Sequence, residues 1–128
     1  MITDNYIKMC EQAEEIQEAW KQNPGDIYIY KKDIDIGLYY YVTEYKKHNN
    51  AVWLPTQEQL QEIIKPTLET DDFELVELFF DFVYGEDSQP NQINSPIKLM
   101  NEMWLAFVMH EKYNKIWTGE KWEVKNVK

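Results

Sequence analysis

The sequence predicts an α+β fold, with four helices packed on a small antiparallel sheet, and three observations support this prediction. Apolar residues recur every three or four positions near both ends of the chain, which is the period of an amphipathic helix. Two segments, 26–31 and 38–45, are rich in tyrosine and β-branched residues, as strands are. The length of 128 residues is typical of one domain, so we expect a single domain over residues 1–128.

The first helix is predicted over residues 4–22. Its apolar side chains fall on one face, at steps of three and four residues: Ile2, Tyr6, Met9, Ala13, Ile16 and Trp20. Pro24 and Gly25 then end the helix, because proline cannot continue it and glycine tolerates the turn. Cys10 lies on the same apolar face, so we interpret it as a small buried side chain and not as a nucleophile.

The two tyrosine-rich segments are predicted to pair as an antiparallel hairpin. The polar linker between them ends at Gly37 and is short enough to return the chain directly. Near the C-terminus, Trp117 and Trp122 lie on either side of Gly119 and indicate a second hairpin of very short strands. We expect this C-terminal tryptophan hairpin to join the tyrosine-rich hairpin in one small sheet.

Three further helices are predicted in the remaining sequence. A Thr-x-x-Gln capping box starts one at Thr56, and Pro66 is expected to end it. Residues 71–84 are apolar around most of a helical circumference, so this helix is either central to the core or shared with another chain, and a homodimer is one expectation. Ser95 and Pro96 predict the start of a last helix over residues 95–114.

The charge of the chain is strongly one-sided. It has 23 acidic and 13 basic residues, which gives a net charge of -10, and every basic residue is a lysine. Nucleic-acid binding normally needs basic patches and arginine forks, so direct binding of nucleic acid is not expected, and an anionic membrane surface is disfavoured too. No apolar run approaches the roughly 20 residues of a membrane helix and no signal peptide is evident, so we expect a soluble cytoplasmic protein.

Acidic residues are concentrated between Lys65 and Lys98, where the sequence has eight carboxylates and no base. Such a run is commonly a solvated face that keeps a protein soluble, but it also suits a basic partner. Glu86 and Asp87 are the last two acidic residues of the run. The candidate partner-binding residues are Glu69, Asp71, Asp72, Glu74, Glu77 and Asp81.

No catalytic or metal site is evident from the sequence. The two histidines, His48 and His110, are not spaced as metal ligands, and the single cysteine cannot complete such a set. The chain also lacks a phosphate-binding glycine loop and the Gly-x-Ser-x-Gly motif of hydrolases. A binding protein without metal or cofactor is therefore favoured over an enzyme.

Three segments resemble small proteins encoded by phages and prophages of low-GC Gram-positive bacteria. They are residues 6–17, residues 53–62, and residues 104–113 together with the motif Trp117-x-Gly119-x-x-Trp122. Thr56 and Glu58 stand in a segment where many members of that group carry an arginine. The resemblance implies a phage context and assigns no catalytic residue.

Together these observations predict a non-enzymatic phage accessory protein that binds a basic protein of the host or the phage. Counter-defence and nucleic-acid mimicry are specific forms of this role, because complementary charge speeds association and selects partners. One alternative is a small-molecule-binding protein, or an unrecognised enzyme, whose aromatic pocket has Tyr39, Tyr41 and Trp53 as its walls. Another is a structural homodimer in phage assembly.

Overall fold

The computed structural model describes residues 2–43, 48–85, 89–92 and 94–125. The fold is α+β, as predicted, and the chain forms two compact units, Met1–Thr56 and Gln57–Lys128. The helices are α1 (Asp4–Gln12), α2 (Glu14–Glu18), a 3-10 helix (Lys31–Ile36), α3 (Gln57–Leu68), α4 (Asp72–Tyr84) and α5 (Met100–Tyr113). The strands are β1 (Ile27–Tyr30), β2 (Tyr39–Tyr41), β3 (Ala51–Trp53), β4 (Lys115–Trp117) and β5 (Trp122–Val124). The single domain expected over residues 1–128 stays a prediction.

The N-terminal helical segment is shorter than predicted and is divided at Ala13. Thr3 caps α1, and its side chain accepts a hydrogen bond of 3.0 Å from the backbone N–H of Tyr6. Ala13 leaves the helical conformation, with φ -87° and ψ 75°, and α2 ends at Glu18 instead of continuing to residue 22. The apolar face is nevertheless correct, because its side chains within the two helices and at their junction are buried: Tyr6, Met9, Cys10, Ala13 and Ile16.

The first unit contains a three-stranded antiparallel sheet in the order β2-β1-β3. The predicted hairpin forms its β1–β2 part, and the connection is a 3-10 helix that ends at Gly37 with a left-handed φ of 68°. Residues 44 and 45, predicted as the end of the second strand, lie outside the described residues. The third strand, β3, was not predicted.

Two glutamine side chains hold the segment that contains β3. The amide of Gln17 donates to the carbonyl oxygen of Trp53 at 2.9 Å and accepts from the N–H of Trp53 at 2.7 Å. Gln22 makes the same pair of bonds with His48, at 3.1 and 2.9 Å. Each amide thereby pairs with the N–H and the C=O of one residue, as a neighbouring strand would, and satisfies polar groups that are costly to leave unpaired.

The second unit contains α3, α4, α5 and the C-terminal hairpin. Pro66 lies inside α3 instead of ending it, and the helix stops at Leu68, after which Glu69 takes a left-handed φ of 52°. The last helix begins at Met100, so the predicted start at Ser95 is wrong. Ser95 uses its hydroxyl in a local turn, where it accepts from the N–H of Ile97 at 3.1 Å.

The C-terminal hairpin is a sheet of its own. Strands β4 and β5 pair with each other, with Trp117 opposite Trp122, and they form a separate two-stranded sheet. The prediction that this hairpin joins the tyrosine-rich sheet is therefore wrong. The reason is connectivity, because only Asn114, in a left-handed conformation, separates α5 from β4, and β4 packs on α5 within the second unit.

Candidate functional site

Helix α4 carries most of the predicted acidic residues, and local capping explains where it begins. The side chain of Asp71 accepts a hydrogen bond of 2.8 Å from the N–H of Glu74, which satisfies one of the free donors at the helix start. Asp72 and Glu74 in the first turn also place negative charge at the positive end of the helix dipole. Three of the predicted partner-binding residues, Asp71, Asp72 and Glu74, therefore also stabilise the start of α4.

One face of α4 is buried against α5. Leu75, Phe79 and Val83 are buried on this face at helical spacing. The ring of Phe79 stacks on Trp104 with centroids 3.9 Å apart and planes 2° from parallel. Next to it, the ring centroids of Phe82 and Phe107 lie 5.4 Å apart. This face supplies the packing that α4 contributes to the core of the second unit.

A second face of α4 exposes large apolar side chains. They recur at steps of three and four residues, and their exposed fractions are 80% for Phe73, 44% for Val76, 51% for Phe80 and 68% for Tyr84. The rings of Phe80 and Tyr84 stack on each other with centroids 5.7 Å apart. We call these four residues the aromatic stripe. Contiguous apolar surface of this kind on a folded protein commonly marks an interaction site.

Beside the aromatic stripe lies a row of carboxylates. Glu74, Glu77 and Asp81 are exposed and share one side of the helix, again at steps of three and four residues. Among the residues that the structure describes, no lysine lies within ion-pair distance of any of the three. We call these residues the acidic stripe, and its negative charge is not neutralised within the described part of the chain.

The other three predicted acidic residues are exposed but lie outside this row. Asp72 forms an ion pair of 2.8 Å with Lys65, and this contact raises the pKa of the lysine. Asp71 is the N-cap, and Glu69 lies between α3 and α4. The structure therefore separates the predicted surface into three carboxylates that no described lysine pairs with and three at or before the start of α4. Glu86 and Asp87 lie outside the described residues.

The three predicted pocket residues do not line one cavity wall. Tyr39 and Tyr41 are exposed on β2, whereas Trp53 is buried on β3. Tyr28 on the central strand is opposite both Tyr40 and Trp53, and residues opposite each other in antiparallel strands project to the same face. Trp53 therefore shares the face of Tyr40, while Tyr39 and Tyr41 project from the other face of the sheet.

The face that carries Trp53 is an aromatic cluster whose members contact one another. Trp20 stacks on Trp53 with centroids 6.0 Å apart, and Tyr28 stacks on His48 at 4.5 Å. The hydroxyl of Tyr30 lies 3.0 Å from Nδ1 of His48. Burial, together with the Tyr30 hydroxyl, raises the pKa of Tyr28 from 10.0 to about 12. These contacts favour a packing role for the aromatic residues of the sheet.

The single cysteine has the environment of a structural residue. Cys10 is fully buried, and this burial raises the pKa of its thiol far above the ordinary value. The burial of Cys10 fits the interpretation of this residue as a small buried side chain.

Within the described ranges, no group of three or more histidine, cysteine, aspartate or glutamate side chains is arranged to hold a metal ion.

A cavity of about 520 Å³ lies in the second unit, at the C-terminal end of α4. Its walls include Leu78 and Asp81 of α4 and His110 of α5. Nε2 of His110 lies 3.1 Å from the ammonium nitrogen of Lys125. The cavity was not predictable from the sequence, because its residues come from α4, α5, β4 and two loop segments and no local spacing relates them.

In the described part of the chain, no helix combines the length and the apolar character needed to cross a membrane. Comparisons with protein-family models, curated proteins and solved structures give no match to this chain. The features that bear on function are therefore the two stripes of α4, the aromatic cluster on the three-stranded sheet, and the cavity at the end of α4.

Proposed function

We propose that this protein is a non-enzymatic binding protein, and that α4 binds a basic, amphipathic segment of a partner protein. The observation that carries the proposal is the adjacency of two unsatisfied surfaces on one helix. The aromatic stripe exposes four apolar side chains, and the acidic stripe adds three carboxylates next to it that no lysine in the described ranges pairs with.

The aromatic stripe supplies the favourable free energy of association. Burying exposed apolar surface stabilises a complex, and aromatic side chains commonly dominate the binding energy of protein interfaces. Phe80 and Tyr84 already stack on each other, which limits the rotamer freedom that they lose on binding. A partner helix with apolar residues at steps of three and four would pack along this row.

The acidic stripe selects the charge of that partner. Glu74, Glu77 and Asp81 would lie beside the interface, so lysine or arginine residues flanking the apolar row of the partner are favoured. A second copy of this chain would instead bring its own three carboxylates to the contact. The net charge of -10 adds to that repulsion, so charge complementarity favours a basic partner over self-association.

The biological setting that we propose is a phage accessory role with a basic host or phage protein as the partner. The resemblance of three sequence segments to small phage and prophage proteins supports the setting. A surface that presents carboxylates to a basic protein also competes with nucleic acid for that protein, which makes counter-defence by nucleic-acid mimicry a specific form of the role.

The test uses a defined probe, a fluorescent helical peptide with leucines on one face and lysines on its flanks. We expect it to bind the protein at 50 mM NaCl, and we expect the affinity to fall at least about tenfold in the triple variant Glu74→Gln, Glu77→Gln and Asp81→Asn. The double variant Phe80→Ser and Tyr84→Ser should lose binding as well. A peptide with glutamates in place of the lysines should not bind.

Matched control variants remove carboxylates and aromatic rings from positions outside α4. The triple variant Glu14→Gln, Glu18→Gln and Glu58→Gln removes three exposed carboxylates outside α4, and Tyr39→Ser with Tyr41→Ser removes two exposed aromatic side chains from β2. Both controls should retain binding. Equal losses in control and test variants would overturn the assignment to α4, and a stable dimer that Phe80→Ser dissociates would assign the stripe to a second copy instead.

A further inference from the structure

The cavity at the end of α4 has the dimensions of a ligand site. Its volume of about 520 Å³ lies within the range of about 300–1,000 Å³ that is usual for small-molecule sites. Gln89 and Gln92 line it, and the Gln89 side chain donates a hydrogen bond to the backbone carbonyl of Trp117, which ties Gln89 to β4. The cavity therefore lies within one unit and is bounded by several elements of it.

Three apolar side chains line this cavity, namely Leu78, Phe82 and Ile116. Aromatic neighbours hold Phe82 in place. The centroid of its ring lies 5.4 Å from the ring centroid of Phe107 and 5.3 Å from that of His110. These walls suit an apolar ligand group of moderate size, because apolar surface gains from leaving water.

The same cavity carries charged side chains of both signs. Asp81, Glu111 and Lys125 line it, and all three are exposed, so the charges lie where solvent reaches the cavity. The Lys125 ammonium is 3.1 Å from Nε2 of His110, and an ammonium can donate only to an unprotonated ring nitrogen. His110 thereby positions Lys125 and leaves further N–H donors of that ammonium for an anionic ligand group.

The histidine is itself incompletely satisfied. Nδ1 of His110 is buried and has no hydrogen-bond partner among the described residues, and Oε1 of Glu111 lies 3.7 Å from it, too far for a hydrogen bond. A buried polar atom without a partner is uncommon in folded proteins, and binding sites are one place where it occurs. This atom gives a reason beyond cavity volume to interpret the region as a site.

We infer that this cavity binds a small zwitterion with an apolar side chain, namely an aromatic α-amino acid or a dipeptide. Lys125 pairs with the carboxylate of the ligand, Asp81 and Glu111 pair with its ammonium group, and the apolar walls receive its side chain. A purely anionic ligand would face two carboxylates and a net charge of -10, while a simple amine would leave Lys125 without a ligand partner. The inference does not depend on a basic protein partner.

Calorimetric titration tests this inference with defined probes. L-Phenylalanine, L-tryptophan and the dipeptide Leu-Phe are the zwitterions, and their binding separates a free amino acid from a dipeptide as the preferred form. Phenethylamine lacks the carboxylate and N-acetyl-phenylalanine lacks the ammonium group. We expect at least one zwitterion to bind and both truncated probes to bind at least about tenfold more weakly. Absence of binding by all three zwitterions would overturn the inference.

Variants locate the site and separate it from the surface proposed for the protein partner. Lys125→Met and Glu111→Gln should each weaken zwitterion binding at least about tenfold, whereas the exposed controls Lys98→Met and Glu120→Gln should not. Phe80→Ser should leave zwitterion binding unchanged, and Lys125→Met should leave binding of the lysine-rich peptide unchanged. Undiminished zwitterion binding in both Lys125→Met and Glu111→Gln would overturn the assignment to this cavity.

Discussion

Helices α4 and α5 are both rich in apolar residues, yet they are buried to very different extents. In α5, six consecutive residues from Trp104 to Met109 are buried, and the helix packs against α3, α4 and β4. In α4, three apolar residues are buried and five are exposed. Apolar composition therefore does not determine burial, because burial depends on how many neighbouring elements surround a helix.

The difference has a functional meaning. Buried aromatic residues of α5 are accounted for by the core, since Phe107 contacts the rings of Phe79, Phe82 and Trp104. Phe73, Val76, Phe80 and Tyr84 of α4 make no comparable set of contacts with the described core residues of the second unit, and leaving them in water is unfavourable. This contrast is the reason to place a protein-binding surface on α4 and a structural role on the buried aromatic residues of α5.

The largest expected effect is on stability, and a matched pair of phenylalanines measures it. Phe107→Ala should lower the free energy of unfolding by about 3–5 kcal/mol, because it opens a cavity in a fully buried ring cluster. Phe80→Ala, at a position 51% exposed, should cost less than about 1 kcal/mol. Urea unfolding followed by tryptophan fluorescence gives both values. Equal losses would mean that the aromatic stripe belongs to the core and would remove the contrast between the helices.

Sequence periodicity predicted the helices better than it predicted their limits. The spacing of apolar residues identified α4 as apolar on more than one face, but it could not say which face a neighbour covers. The division at Ala13 and the start of the last helix at Met100 depend on local hydrogen bonds, such as those that Glu102 accepts from the N–H groups of Lys98 and Leu99. Such bonds leave no periodic trace in a sequence.

The candidate sites were predictable from the sequence to different degrees, depending on whether their residues lie on one helix or on several segments. The acidic stripe lies on one helix, so its residues are neighbours by spacing alone. Asp71 and Asp72 do not belong to this stripe, because Asp71 caps the helix and Asp72 forms an ion pair with Lys65. The predicted aromatic pocket required the strand order, and that order depends on β3, which Gln17 holds from a distant point of the chain. The cavity near His110 combines five segments and lies beyond any local pattern.

A smaller effect is expected on the pH dependence of stability, where the buried Tyr28 of the sheet is compared with the exposed Tyr84 of α4. Because burial raises the pKa of Tyr28 to about 12 from 10.0, the unfolded chain loses this proton at lower pH than the folded protein does. The stabilising contribution is therefore fully present below pH 10 and is lost as the pH rises towards about 12. Urea unfolding between these pH values should show the loss, and Tyr28→Phe should reduce it.

The control for this measurement is Tyr84→Phe, which removes one hydroxyl from the aromatic stripe. Tyr84 is 68% exposed, and the variant keeps Tyr28, so the alkaline loss of stability should persist. A loss that disappears in Tyr84→Phe and persists in Tyr28→Phe would contradict the assignment of the enclosed environment to the sheet.

The smallest expected effect is weak self-association that appears only when charge is screened. At 0.1 M salt the screening length is about 10 Å, and at 1 M it is about 3 Å, so the repulsion between acidic stripes of two copies falls while their aromatic stripes stay apolar. Light scattering over a range of protein concentrations should give a monomer at low salt and a rising mean mass at 1 M NaCl, and Phe80→Ser should abolish the rise. A dimer at low salt that survives Phe80→Ser would show that another surface joins the copies and that repulsion between acidic stripes does not keep them apart.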